Sequence, residues 1–269
     1  MTFSQAVFLG LIQVITEFRP ISSSGHLVIV PHLLGWKFGG SESFIFTVLV
    51  QWGNLFAVCI YFRNDLHKVL VAFTKALLAG RPFATRDACM GWYIIVATLP
   101  TVIAGLLFKD TVQAAFYSAR ATGFFLLVTA LLLYIAEYQG KRNRDPNNFT
   151  KFDAIWIGCF QVMALLPGVS RSGATIAGGM VRHLDRPTAA RFSFLISIPV
   201  MIGAGVLAIN DLVDLQTTEN LLMPLLVGFL CAFISGYIAI RWLISYLNQH
   251  TLYIFATYCL LVGSLSILY

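Results

Sequence analysis

Residues 15–26, ITEFRPISSSGH, gather an acid, a base, three consecutive serines and a histidine around one proline. Gln13 and Glu17 are four apart and share one face of a helix that is expected to run to about Phe18, since Pro20 cannot continue it. Ser22, Ser23, Ser24 and Gly25 make the break, and His26 begins a second half-helix, His26–Leu34. PGVSRSGATI, residues 167–176, repeats the plan: Ser170, Arg171, Ser172 and Gly173 interrupt the chain before a helix starting near Ala174–Thr175. Backbone N–H groups at a helix start bind anions, and half-helix ends add positive potential. A guanidinium offers a planar fork of donors. Two such starts, several hydroxyls and Arg171 together form a site shaped for phosphate.

Taken singly, these residues have duller readings. A serine run in a membrane helix is often a packing surface, and a lone histidine is often a satisfied polar group. Glu17 is harder to dismiss, because an ionisable group in an apolar segment is costly and usually marks function. Glu17, Ser23 and His26 within ten residues, mirrored by Arg171, favour chemistry over packing.

The elements that must position them are apolar. Of 269 residues, 58% are hydrophobic and 11% charged, against roughly 25% charged in soluble domains. Mean hydropathy is +0.79 over the whole length. Continuous apolar runs, rather than short alternating ones, point to helices and away from an outer-membrane barrel. Six full spans are read: Phe44–Phe62, Cys89–Phe108, Gly123–Tyr138, Phe192–Ile209, Leu221–Ile240 and Tyr253–Leu268. Phe3–Leu34 and Phe152–Val181 are interrupted at the two polar breaks and read as re-entrant helix pairs. Non-helical backbone at membrane depth must be buried in protein or line a wet cavity.

Basic residues orient the spans. Thirteen fall on one side: Arg63, Lys68, Lys75, Arg81, Arg86, Lys141, Arg142, Arg144, Lys151, Arg182, Arg186, Arg191 and Arg241. Arg19, Lys37, Lys109 and Arg120 fall on the other, with an acidic loop at Asn210–Asn220. The richer side is cytoplasmic by the positive-inside rule, so both termini face outward. The net charge of +6 is read as this bias and not as a nucleic-acid footprint. The two halves, about 1–147 and 148–269, then enter the bilayer from opposite sides. A shift of 148 residues lays Gly10, Gln13, Val14, Ser22, Ser24 and Gly25 on Gly158, Gln161, Val162, Ser170, Ser172 and Gly173 without a gap. The fold class is therefore an all-α polytopic membrane protein: one domain, six spans, two re-entrant pairs, an inverted-topology repeat. In such repeats, interrupted segments at matching positions point to the site.

Other polar residues carry less. The five cysteines form no C-x-x-C pair and read as small buried hydrophobes. Thr2 and Gln5 fit a helix-starting capping box, and no signal peptide is read. His67, His183 and His250 read as solvated. Gln51 and Asn54 line the cavity or simply pack. Glu137 sits at a span end within reach of the interface, and Lys141–Arg144 reads as an orientation signal.

At Gln13-x-x-x-Glu17-Phe18-x-Pro20-Ile21-Ser22-Ser23-Ser24-Gly25-His26, at Pro167–Ile176 and at RFSFLISIP (191–199), the chain resembles the undecaprenyl-diphosphate phosphatase family, also called the bacitracin-resistance family. The order and spacing cover nearly the whole chain. The resemblance implies removal of the terminal phosphate of undecaprenyl diphosphate at the bacterial inner membrane, which recycles the carrier for cell-wall glycans. It implies Ser23 as the proposed nucleophile, His26 as the motif histidine, Arg171 as the essential arginine, and Glu17 with Gln13 as the acidic pair. Ser22, Ser24, Gly25, Ser170, Ser172, Gly173 and Thr175 then bind substrate. Arg19 departs from the family, which commonly has leucine there; it adds a phosphate contact or reaches the outer interface.

The expected chemistry is attack by Ser23 on the terminal phosphorus, with His26 or Glu17 as base and Arg171 holding phosphate. Direct attack by water, with Ser23 only binding, is the competing route. Glu17 and Gln13 are also candidate ligands for Mg²⁺ or Ca²⁺ bridging the diphosphate. The acid-phosphatase-like lipid phosphatases are excluded: Lys75 to Arg81-Pro82 is one residue short for their first motif, and position 177 is alanine where their last histidine belongs. Transport of a polyprenyl phosphate or another anion is the rival from a different class. The expected partners are a polyprenyl diphosphate and the bilayer, with no nucleic acid, and a homodimer is the assembly to look for. The pocket is expected to open to the periplasmic face.

Overall fold

The computed structural model describes residues 3–36, 41–213 and 222–268. These form twelve α-helices, and no strand occurs among the described residues. In order they are α1 (Phe3–Thr16), α2 (Ser23–Leu33), α3 (Ser41–Tyr61), α4 (Arg63–Leu78), α5 (Arg86–Leu107), α6 (Lys109–Ala115), α7 (Ala119–Gln139), α8 (Lys151–Met163), α9 (Arg171–Val181), α10 (Arg186–Val213), α11 (Leu222–Gln249) and α12 (Tyr253–Leu268). Among the described residues, four helices are long and apolar enough to cross a bilayer: α5, α7, the 186–206 portion of α10 and the 226–249 portion of α11. The chain is a multi-pass membrane protein.

Lipid tails are as apolar as leucine, so these helices associate through close packing and not through exclusion from water. Small residues mark where they touch. A Cβ on Gly123 of α7 would lie 3.0 Å from the Gly263 carbonyl of α12, and one on Gly263 would lie 2.8 Å from the Gly123 carbonyl. One on Gly158 of α8 would lie 2.5 Å from the Ala97 carbonyl of α5. The largest helix-to-helix contacts follow: α12 on α7, α11 on α3, and α5 on α8. The two broken segments lie inside this frame. Phe18 is fully buried, with its ring edge-on to Phe194 of α10 at 5.7 Å.

Each expected span lies on a helix, with shifted bounds. α10 continues to Val213, so Asn210 and Asp211 are helical and not the start of a loop. Thr2, Lys37, Asp214 and Glu219 lie outside the described residues. The basic stretch after α3 is itself a helix, α4, which follows α3 with one residue between. Cys159 and Cys231 are exposed, contrary to the buried role expected of them; Cys259 is buried.

Candidate active site

The first break is built on a strained serine. Ser22 has φ 65°, ψ 95°, a left-handed conformation disfavoured for any side chain and concentrated at functional sites. In this conformation Ser22 Oγ accepts from the Gly25 N–H at 3.2 Å and caps α2. Ser170 does the same for α9, accepting from the Gly173 N–H at 3.1 Å. Both second half-helices therefore begin three residues earlier than the sequence suggested, at Ser23 and Arg171. α1 also ends earlier, at Thr16. The correction has a plain cause: a serine cap satisfies the N–H three residues on, so the serines counted as the break are cap and first turn.

Glu17 is the hub. Its Oε2 accepts from Gln13 Nε2 at 2.7 Å and from Ser23 Oγ at 2.7 Å. Its Oε1 accepts from Arg171 Nη2 at 3.2 Å, 154 residues away in sequence. The side chains of Arg171 and Glu17 are 17% and 11% exposed, so the pair is shielded but reachable. Gln13, Glu17, Ser23 and Arg171 thus form one hydrogen-bonded cluster.

The other expected binding residues frame the cluster. Ser24 Oγ lies 3.2 Å from Ser22 Oγ, and Ser172 Oγ lies 3.3 Å from Ser170 Oγ. A Cβ on Gly25 would lie 3.1 Å from Gly168 Cα, so the two breaks cross in contact. Gly168 has φ 103°, and any side chain there would strike the Thr122 carbonyl. Thr129 of α7 locks the second break: its Oγ1 donates to the Gly168 carbonyl at 2.8 Å and accepts from the Ser170 N–H at 3.0 Å. Thr175 lies away from the cluster. Its fully buried hydroxyl bonds the Arg171 carbonyl at 2.7 Å and the Ser193 hydroxyl at 2.6 Å.

His26 faces elsewhere. Its Nδ1 lies 2.7 Å from the Ser22 carbonyl, which only accepts, so Nδ1 carries a proton. In the neutral ring Nε2 is then an acceptor, and Tyr258 Oη donates to it at 2.7 Å. The two rings stack with centroids 5.6 Å apart. Tyr258 was not picked out from sequence; it is an ordinary residue of an apolar span, 232 positions from its partner. Arg19 is half-buried. Its guanidinium lies over the Trp242 ring, 4.9 Å from the centroid. Asn54 is fully buried against Gly236, with neither amide atom bonded; Gln51 is half-buried on the same helix.

Two buried carboxylates, Glu137 and Asp153, lie at the basic end. Glu137 does not reach outward: it accepts from Arg186 at 2.6 Å, Arg142 at 2.9 Å and the Leu252 N–H at 2.8 Å. Asp153 accepts from Arg144 at 2.7 Å and Arg182 at 2.8 Å. Burial alone would raise the Asp153 carboxyl, but hydrogen bonds from Arg144, Arg182 and Thr150 outweigh it and hold it below its ordinary value. The run 141–144 is thus partly a structural clasp. His183 is half-buried, with Nδ1 3.4 Å from the Lys141 N–H, while His67 and His250 are exposed as expected.

Comparison with known proteins fixes the family. The model of bacitracin resistance protein BacA matches residues 6–265. The chain belongs to the BacA family. Curated relatives agree over almost the whole length. An undecaprenyl-diphosphatase from Chlorobaculum tepidum is 42% identical, covering 98% of this chain and 95% of its own. One from Chlorobaculum parvum is 43% identical with the same coverage. One from Myxococcus xanthus is 40% identical, covering 98% of this chain and 88% of its own.

Proposed function

We infer that this protein is an undecaprenyl-diphosphate phosphatase: it hydrolyses the terminal phosphate of undecaprenyl diphosphate, giving undecaprenyl phosphate and inorganic phosphate. The carrier is thereby recycled for cell-wall synthesis, with resistance to bacitracin as a consequence. The observation that carries this reading is the contact of Ser23 and Arg171 with the same carboxylate, in a chain whose relatives bear that activity in their names.

The geometry divides the labour. Ser23 Oγ already donates to Glu17, and the free electron pair of His26 is taken up by Tyr258. Glu17 is therefore the base and His26 a positioned neutral ring. The terminal phosphate draws Arg171 off Glu17; Glu17 takes the Ser23 proton as Oγ bonds the terminal phosphorus. The bond from phosphorus to the bridging oxygen breaks, and the lipid monophosphate leaves with the electron pair. Glu17 passes that proton to the departing phosphate oxygen, then takes one from water as the water oxygen bonds phosphorus; the bond from phosphorus to Ser23 Oγ breaks, Ser23 takes the proton back from Glu17, and inorganic phosphate is released. Arg171 and the starts of α2 and α9 stabilise the charge throughout.

A divalent cation fits in part. Among the described residues, no three His, Cys, Asp or Glu side chains gather as a metal cage. Gln13 Oε1, however, is buried without a partner beside Glu17. Glu17 and that oxygen would hold Mg²⁺ or Ca²⁺ with phosphate oxygens completing the shell; bound there, the ion would neutralise diphosphate charge.

The topology we read is six spans and two re-entrant pairs in inverted halves, about 1–147 and 148–269, with the pocket open to the periplasmic face. The helix bounds support it: α2 at 23–33 and α9 at 171–181 are offset by the same 148 residues as the motifs. Labelling of a cysteine placed near Ser23 only by cytoplasmic-side reagents would overturn that orientation. That same repeat is a transporter architecture, so the decisive experiment is release of phosphate from a polyprenyl diphosphate by the purified protein. Release lost in Ser23→Ala, with a phosphoserine trapped at 23, is expected. No release from folded wild type would favour transport, and full activity in Ser23→Ala would remove Ser23 from the reaction.

A further inference from the structure

Arg19 is the unexplained charge in the site. Its Nε is buried and makes no hydrogen bond. Six other arginines, Arg142, Arg144, Arg171, Arg182, Arg186 and Arg191, each have a carboxylate within ion-pair distance. Arg19 has no such pair among the described residues, and what it has is the face of Trp242. Arg19 is half-buried, and an aromatic face returns only part of the hydration that its shielded Nε gives up. Arg171 is neutralised by Glu17, so the uncompensated positive charge at the crossing of the two breaks belongs to Arg19. The Arg19 peptide is fixed there: its carbonyl accepts from Ser172 Oγ at 3.4 Å, and Ser172 adjoins Arg171.

The seat of Arg19 also has a direction. Trp242 of α11 meets Phe255 of α12 edge-on at 6.4 Å, and Tyr258, one turn further along α12, bonds His26. Trp242 and Tyr258 are 41% and 39% exposed, and Ile238 and Leu261 on the same two helices are 60% exposed each. These partly exposed apolar side chains beside Arg19 are a surface on which a hydrocarbon tail can lie. With Glu17, Ser23 and Arg171 assigned to the phosphate that is cleaved, a second cation at the crossing is left for the phosphate that bears the tail.

We propose that Arg19 is a second substrate cation, holding the proximal, lipid-bearing phosphate of a prenyl diphosphate while Arg171 takes the terminal one. The assignment rests on the phosphatase reading. It makes Arg19 a residue for recognition of substrate and product, and Trp242 the platform that keeps the guanidinium from turning into lipid.

The test uses full-length protein in detergent, with phosphate release from a polyprenyl diphosphate as readout. Release by wild type tests the phosphatase reading itself. In Arg19→Leu, KM is expected to rise about tenfold, as for loss of one charge-assisted contact. Inhibition by the lipid monophosphate product, which keeps only the proximal phosphate, should weaken by the same factor, and inhibition by inorganic phosphate should not change. Arg19→Lys, a point charge without the fork, should fall between and serves if the leucine variant does not fold. Unchanged monophosphate inhibition in either variant would overturn the proposal. So would weakened inhibition by inorganic phosphate in its place, since that would put Arg19 on the terminal phosphate.

Discussion

Glu17→Gln separates the two duties of the hub. Glutamine keeps the shape of position 17 and an oxygen that accepts from Gln13 and Ser23, but it loses the pair with Arg171 and cannot take the proton of Ser23, whose Oγ lies 2.7 Å from the carboxylate. A positioned general base contributes about 10²–10⁴ in rate, so kcat should fall by about that factor. Substrate binding should move the other way. In the free protein Arg171 is held by Glu17 at 3.2 Å, longer than the roughly 2.7–2.9 Å of a strong charge-assisted bond. Such bonds contribute about 1.5–3 kcal/mol, and this one belongs at the low end. Phosphate must break that pair, so removing it should lower KM by about tenfold, the equivalent of ~1.4 kcal/mol. The assay is steady-state phosphate release over a substrate series, with melting temperature as the check on folding. Retention of more than about a tenth of kcat would refute Glu17 as base and return the role to His26. A KM raised about tenfold would refute the exchange of partners and show that the carboxylate binds substrate, as it would through a cation.

Tyr258→Phe keeps the stack on His26 but leaves Nε2 without its donor; because Tyr258 is partly exposed, water replaces some of it. A loss of about fivefold in kcat, near 1 kcal/mol, is expected, with an altered pH profile; an unchanged profile would remove Tyr258 from the site. Gly168→Ala forces a side chain onto φ 103° against the Thr122 carbonyl and should cost at least about 2 kcal/mol, read as a lower melting temperature; an unaltered melt would contradict the crossing of the breaks. Asp153 is held below its ordinary value, so its stabilisation is present above the ordinary carboxylate range and is lost as pH falls through the lowered folded value. Asp153→Asn should melt lower near neutrality and lose part of the acid-side decline; a melt that tracks wild type at every pH would count against the clasp.

Local sequence made much of this legible. An acid within an apolar segment, a proline after it and a serine run point to a broken helix, because hydrocarbon penalises each of them. Glu17, Ser23 and Arg171 could be singled out for that reason, and the fold brings them together. What sequence concealed was set at a distance or by geometry. The early start of α2 depends on Ser22 adopting φ 65°, which no serine propensity announces. Tyr258 reaches His26 only once α12 is docked. Glu137 read as an interfacial residue because its two arginines, Arg142 and Arg186, are assembled by separate parts of the chain. α4 was hidden because a basic stretch at a membrane edge looks the same whether it is loop or helix.

Counting 148 residues onward from Ser23 leads to Arg171, the same first position of an equivalent half-helix. On the repeat reading, nucleophile and counter-charge are thus two answers at one site of a duplicated segment. An ancestor with identical halves would have offered the phosphate two hydroxyls or two guanidiniums, never one of each. The reaction would then have begun with a break in likeness at a single position, and a paired fragment of either half alone would still lack one of the groups.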